Sequence, residues 1–388
     1  VLARHVVPRV RAIADSPEMR AIRRALPVSF AGLAIGLVAF MATQPSGTFL
    51  QRFSASFGAA FGVMSAMLVV VLTYDLAGAR RVPRIAAVVT AGAAFALSLP
   101  YAKAATFPAL AKALGSSGLF LAIGIAIFTV LAFTLAIRRA GIRTGTAIAA
   151  IVVLGIAGAL LASGVSLTAA LDVAIAPLGD LGDSLTALLI ITLVETLLWT
   201  IGIHGPALLA PVVLPVYVNL QLQNTDAWQH NAPLPHIVTV SMFLFVFPGG
   251  AGATLPVVVL LLRSKVKRIR RVAFATLLPS IANANEPLMF GLPVVLNPTL
   301  SIPFVVTPLV LAIVSWEAMA HGLVNKPVYY IPSTIPLPFC GYFATQDWRA
   351  VILMAVNLVL AFAIYMPFVR AYERAEEKRA GHDTESAA

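Results

Sequence analysis

An all-helical chain that crosses a membrane many times is the fold predicted by three features of this sequence. Its 388 residues are 60% hydrophobic and only 11% charged, against about 25% charged in soluble domains. The apolar residues collect in runs of about 20, the length a helix needs to span the hydrocarbon core. Twenty-two of the 27 lysines and arginines fall in five short stretches beside those runs, at 1–24, 78–84, 138–143, 263–271 and 370–379. Such clustering is the positive-inside signature of cytoplasmic loops. It accounts for the net charge of +11 without a nucleic-acid partner, which would ask for a basic stripe on one face of a domain. The clusters read as anchors against anionic membrane lipid.

In chain order, apolar spans fall at 25–44, 57–77, 84–101, 118–137 and 146–164. With the basic N-terminus they compose an N-terminal helical half, residues 1–164. The flanking charges alternate. The connection before the first span is basic, the next carries Arg80, Arg81 and Arg84, a later one only Lys103 and Lys112, and the one after that Arg138, Arg139 and Arg143. The N-terminus is therefore expected in the cytoplasm, together with a basic tail at 370–388. Residues 165–183 place Asp172, Asp180 and Asp183 among small apolar residues and read as an interfacial connection. A second half, 184–369, has clear spans at 184–203, 237–262, 299–324 and 346–369. Two segments rich in proline and polar residues, 204–236 and 272–298, interrupt it.

Parity constrains those interruptions. Between the basic loops at 138–143 and 263–271 the number of crossings must be even, yet the clear spans are three. Either 204–236 supplies a net crossing or one assigned span is re-entrant. Residues 272–298 should enter and leave on the same side, as a hairpin whose non-helical tip is sheltered by protein or faces water. A short echo links the two segments: His204 precedes Pro211-Val-Val-Leu by seven residues, and Glu286 precedes Pro293-Val-Val-Leu by seven. Transporters commonly repeat broken helices in this way, although Pro256-Val-Val-Val also occurs in this valine-rich chain.

Glu286 stands out on physical grounds. It lies in NANEPLMFGLPVVLNP, where inserting a carboxylate costs on the order of 2 to 3 kcal/mol. Pro287 biases Glu286 away from helical angles and donates no amide, so the chain should break at the acidic residue. Asn283 and Asn285 add amide donors and acceptors suited to sugar hydroxyls; a helix-capping carboxylate is the alternative. His204 ends LVETLLWTIGIHGP, before Gly205 and Pro206. An imidazole opposite a carboxylate could share the proton of a substrate hydroxyl, so the pair matters more than either member. No metal-ligand spacing accompanies them, and neither metal nor cofactor is expected.

Other polar residues have competing readings. Glu195 and Glu317 are intramembrane acids by position, either a second polar contact or proton carrier, or paired with a buried partner; His321, one turn after Glu317, could satisfy it. FPGGAGATL brings Gly249, Gly250 and Gly252 together before Thr254. These glycines allow close backbone approach to a ligand or a helix, and the Gly-Lys-Ser/Thr ending of a phosphate loop is absent. Cys340, the lone cysteine, sits in apolar IPLPFCGYF and reads as a packing residue.

Taken together, NANEPLMFGLPVVLNP, WTIGIHG, GGAGATL, GYFATQDWRA and the opening AIRRALPVSFAGL resemble the membrane subunit, component IIC, of the lactose, cellobiose and N,N'-diacetylchitobiose family of the bacterial phosphoenolpyruvate-dependent sugar phosphotransferase system. The resemblance implies an all-helical homodimer in the bacterial inner membrane, each chain with about ten transmembrane helices and two re-entrant hairpins. Its first half would make the dimer interface, and its second half, with two re-entrant hairpins, would carry a β-linked disaccharide or related oligosaccharide by an elevator-like movement. It further implies that His204 and Glu286 hold the C6 hydroxyl, with Glu286 as the candidate base; Asn283, Asn285, Thr254 and Ser333 complete the expected substrate-binding set. Phosphate would come from a cysteine of a separate cytoplasmic IIB protein, itself charged by IIA, so that this subunit is not the phosphate-donating component. Two departures qualify the match. Pro332-Ser333-Thr334 stands where the family usually reads Pro-Trp-Thr, so an aromatic platform worth about 1 kcal/mol is missing, and Glu195 falls where an uncharged residue is expected. These departures keep two alternatives open: a sugar-sensing or regulatory membrane module, and an uncoupled or proton-linked transporter using Glu195.

Overall fold

A computed structural model describes residues 16–43, 49–101, 106–114, 117–292, 297–337 and 339–385, and no strand occurs among them. Among the described residues five helices are long and apolar enough to cross a membrane: Gly58–Ala79, Ser117–Ala140, Ile142–Ala162, Thr299–Ala320 and Arg349–Lys378. Shorter apolar helices lie at Ala31–Ala42, Arg84–Leu97 and Leu185–Thr200. Side chains such as Val38, Ile85, Ile151 and Val359 are at least 66% exposed. Large aliphatic groups facing outward on helix after helix are the reverse of a soluble surface and suit hydrocarbon.

The chain divides into two compact units, one running to Gly179 and taking in Ala210–Asn219, the other comprising Asp180–Leu209 and Leu220 onwards. The first contains α1 (Pro17–Ala42), α2 (Phe49–Ala79), α3 (Arg84–Leu97), α4 (Phe107–Leu114), α5 (Ser117–Ala140), α6 (Ile142–Ala162) and most of α7 (Leu167–Gly182). Here α2 is the hub, packed against α1, α3, α4 and α5, while α6 packs on α3 and α5. Small residues set the spacing. Gly62 lies so close to the Ala111 backbone that a Cβ would overlap it, and Ala91, Ala126 and Ala149 are buried on the facing helices. In lipid, where apolar contact between helices has no water to escape, such close backbone approach is what holds helices together.

The second unit contains α8 (Leu185–Thr200), α10 (Phe243–Val246), α11 (Leu255–Leu261), α12 (Lys267–Ile281), α13 (Glu286–Gly291), α14 (Pro298–Ala320), α15 (Phe339–Thr345) and α16 (Arg349–Glu385). Helix α9 (Gly205–Gln229) contributes Ala210–Asn219 to the first unit and its two ends to the second. Within the second unit α14 packs on α8, α10 and α16, and α11 on α12 and α16. Val258, Leu261, Ile269, Leu288 and Phe304 are buried together in its core.

Two sequence-based expectations are corrected here. The span expected at 237–262 is not continuous: a 3-10 turn at Val240–Met242 and α10 are separated from α11 by an irregular loop. Hydropathy averages over FPGGAGA, whereas Gly249, Gly250 and Gly252 all take positive φ there, which no helix can absorb. Conversely 204–236, expected as an interruption, is mostly the 25-residue helix α9. Pro206 sits in its first turn, where no intrahelical donor is lost, and neighbouring protein compensates prolines further inside a membrane helix. The Pro293-Val-Val-Leu half of the echo lies outside the described residues. At the C-terminus the basic segment continues α16 as helix to Glu385, with Glu376 bound to Arg268 at 3.0 Å.

Polar knots tie the ends of the second unit. Asp183, from the interfacial connection, accepts from the backbone of Ile237 (3.0 Å) and Val238 (2.8 Å) and contacts His236 Nδ1 at 3.0 Å. Burial pushes the Asp183 carboxyl up, but the His236 and backbone hydrogen bonds outweigh it and hold the group below its ordinary value. Asn224 donates to the carbonyls of His236 (2.7 Å) and Pro327 (2.8 Å), and Thr225 to that of Val328 (2.6 Å), pinning the segment after α14. Glu317 and His321 satisfy each other at 3.2 Å, and Cys340 is a fully buried packing residue.

Candidate functional site

His204 and Glu286 are placed by two elbows of the same backbone design. Helix α8 ends at Ile201 with Gly202 at φ +83. The amide of Gly202 donates to the Trp199 carbonyl (3.0 Å) and that of Ile203 to the Leu198 carbonyl (2.9 Å), the paired bonds of a Schellman cap. His204 follows and caps α9 with its own carbonyl, which accepts from Leu208 at 3.1 Å. Gly205 turns back against the α8 backbone so tightly that a Cβ would overlap the Glu195 carbonyl.

The second elbow repeats this. Helix α12 ends at Ala282 with Asn283 at φ +57. The Asn283 amide donates to Ser280 (3.1 Å) and the Ala284 amide to Pro279 (2.9 Å). Asn283 can fill the left-handed position because asparagine tolerates it better than other non-glycine residues. Asn285 then caps α13, accepting from Met289 at 2.9 Å, with Pro287 in the first turn. Gly202-Ile203-His204-Gly205-Pro206 thus corresponds to Asn283-Ala284-Asn285-Glu286-Pro287, one residue out of step with the sequence echo that paired His204 with Glu286.

The two elbows bring His204 Nε2 to 3.5 Å from Glu286 Oε1, with the side chains 36% and 47% exposed. Neither is sealed in, so both keep hydrogen-bonding capacity for a third group. The Trp199 ring, 3% exposed, lies at 4.4 Å between centroids from the imidazole and fixes its orientation. An imidazole and a carboxylate so disposed can bracket one hydroxyl, the first donating to its oxygen and the second accepting its proton.

The other expected site residues form the wall behind this pair. Asn283 accepts from the Gly249 amide (2.7 Å) and donates to the Ser333 carbonyl (2.6 Å). Asn285, 3% exposed, donates to the Ala251 carbonyl (2.5 Å). Thr254, 1% exposed, donates to the Gly249 carbonyl (2.8 Å). Ser333 is exposed and meets Asn283 through its backbone. The amides therefore tie the glycine loop 249–254 to the α12–α13 elbow; position 250 fits only as glycine, since a Cβ there would come within 2.8 Å of Asn285 Cγ. The sequence reading missed what backs this loop. Tyr365 donates to the Gly252 carbonyl (2.6 Å), Phe304 fills the space a Gly252 side chain would need, and Asn357 donates to the Phe245 carbonyl (3.0 Å) and contacts Ser315 Oγ at 2.7 Å. A phenol and an amide inside the apolar run of α16 were the available signal. Among the described residues no group of acids, histidines and cysteine has a metal-binding arrangement.

Broken helices that turn an imidazole and a carboxylate toward each other define a helical membrane protein with a polar site at its helix breaks. The chain belongs to the family Phosphotransferase system, EIIC, whose profile matches residues 25–308. Among similar proteins, the lichenan permease IIC component of Bacillus subtilis (strain 168) is 37% identical over 206 residues, covering 52% of this chain and 46% of the relative. The cellobiose-specific EIIC component of Geobacillus stearothermophilus is 36% identical over 204 residues, 51% of this chain and 45% of the relative. The chain thus spans about half the length of the curated relatives it matches. The crystal structure of the transporter ChbC, the IIC component from the N,N'-diacetylchitobiose-specific phosphotransferase system, superposes with a TM-score of 0.81 at 28% identity, over 97% of this chain and 99% of that one.

Proposed function

We propose that this chain is the sugar-carrying membrane subunit of a bacterial phosphotransferase system, taking a β-linked disaccharide or related oligosaccharide across the cytoplasmic membrane. The relatives named for lichenan, cellobiose and N,N'-diacetylchitobiose support that substrate class. The observation that carries the reading is the 3.5 Å approach of His204 to Glu286 at two helix breaks. The C6 hydroxyl sits between them. Its oxygen attacks phosphorus on the phosphocysteine of a IIB protein recharged by IIA. The new O–P bond forms as the S–P bond breaks, the cysteine leaves as thiolate, and the hydroxyl proton passes to the Glu286 carboxylate. Asn283, Asn285 and Thr254 act as positioning residues that hold the glycine loop against the acid.

In the same reading the chain crosses the membrane about ten times, α10–α11 and α12–α13 are re-entrant hairpins, and both termini are cytoplasmic. The first unit makes a homodimer interface while the second moves as an elevator. Liposomes holding the protein, supplied with IIA and IIB, should accumulate sugar 6-phosphate from cellobiose or diacetylchitobiose; if neither these nor lactose yields phosphorylated product, the proposal fails. A sugar-sensing role is favoured only by the exposed Ser333 in place of an aromatic platform, and sugar binding without uptake would select it.

A further inference from the structure

A cavity of about 230 Å³ opens at the basic end of the first unit, lined by Arg20, Ala21, Arg24, Asp75, Ala79 and Arg84. Alternating helix direction gathers these residues. Arg20 and Arg24 lie one turn apart at the start of α1, Asp75 and Ala79 one turn apart at the end of α2, and Arg84 is the first residue of α3. Three arginines and one aspartate therefore line the same cavity. Among the described residues no ion pair joins Asp75 to any of the three arginines, and one carboxylate leaves the positive charge lining the cavity in excess.

Arg84 is held in place for this. It donates to the Tyr74 hydroxyl at 3.1 Å, its guanidinium lies 4.8 Å over the Tyr74 ring, and it rests against Gly78, where any side chain would collide with it. Guanidinium forks match phosphate oxygens in spacing and charge. The site lies at helix ends flanking a basic loop, the level of the headgroups on the cytoplasmic side under the positive-inside bias. Beside it, Tyr74 and Ile85 are 47% and 78% exposed, apolar surface against which acyl chains can lie.

We propose that this cavity binds a phosphate ester, and that its source is the headgroup of an anionic phospholipid in the cytoplasmic leaflet. Arg20, Arg24 and Arg84 converge on the phosphate oxygens, and Asp75 limits the excess charge when the cavity is empty. The site is separate from the His204–Glu286 pair and independent of what that pair does.

The test is binding of short-chain phosphatidylglycerol to the full-length protein, delipidated in nonionic detergent, with phosphatidylcholine and inorganic phosphate as parallel titrants. Phosphatidylglycerol should bind at least tenfold tighter than phosphatidylcholine. The Arg20→Gln/Arg24→Gln double variant should weaken it roughly tenfold or more, in line with the effect of removing two basic residues near an anionic surface. Arg143→Gln, at another basic loop, should leave affinity within about twofold. Asp75→Asn should tighten binding about fivefold, a gain that a misfolded variant cannot imitate. Equal affinity for the two lipids, or equal effects of the Arg20/Arg24 and Arg143 substitutions, overturns the site. Saturation by inorganic phosphate with no response to phosphatidylglycerol overturns the lipid as its source.

Discussion

The elbows at Gly202–Pro206 and Asn283–Pro287 share a backbone and differ in what fills the left-handed position. In the first that residue is glycine, which contributes only conformational freedom, and His204 is the side chain this elbow offers to the candidate site. In the second it is asparagine, whose amide bridges the Gly249 amide and the Ser333 carbonyl. One elbow is a turn; the other is a turn that also organises two further stretches of chain. The difference separates two things a helix break can supply: a polar side chain for a site, and a scaffold for neighbouring irregular backbone.

The largest effect is expected at the polar side chains. Glu286→Gln keeps the shape and removes the base, and should cut sugar phosphorylation roughly 100-fold or more while changing sugar affinity only a few-fold; a variant with near-normal phosphorylation would dissolve the distinction. Next is Asn283→Ala, which forfeits both amide bonds and places a Cβ-bearing residue at positive φ without compensation. The combined cost of about 2–4 kcal/mol should appear as a marked fall in Tm in detergent. Asn283→Gly restores the conformational freedom and isolates the amide, and should recover about 1 kcal/mol of that loss. Gly202→Ala, with no bonds to lose, should cost only about 1 kcal/mol. If it proves as damaging as Asn283→Ala, the two elbows are not different in kind.

A pH measurement provides a control away from both elbows. The Asp183 carboxyl is held below its ordinary value in the folded protein, so its contribution is complete above the unfolded carboxyl pKa of about 3.9. That contribution is lost as pH falls through the lower folded value. Asp183→Asn should therefore lower Tm at neutral pH and flatten the acid limb below about pH 4. An unchanged acid limb would remove Asp183 from the account.

Much of the helical framework was legible because charge and hydropathy act over twenty residues at a time. The spans expected at 118–137 and 299–324 correspond closely to α5 and α14. Features decided by one or two residues were not. A window that sums hydropathy cannot see three glycines at positive φ inside 237–262, and proline frequency cannot say that Pro206 falls in a first turn where its missing donor costs nothing. At the site, His204 and Glu286 were legible because ionisable groups in apolar sequence need a reason to be there. The work of Asn283 and Asn285 was not, since their partners are backbone groups of Gly249, Ala251 and Ser333, and backbone atoms carry no signature of identity.

Tyr365 completes that set by holding the Gly252 carbonyl. In a surface loop, solvent molecules would fill these roles and would have to be shed or regained whenever the surroundings changed. Here two amides and a phenol bound to the loop are permanent substitutes for them. A segment so bound keeps its main-chain bonds whether its surroundings are greasy or aqueous, which is what the proposed elevator movement would require of the least regular part of the chain.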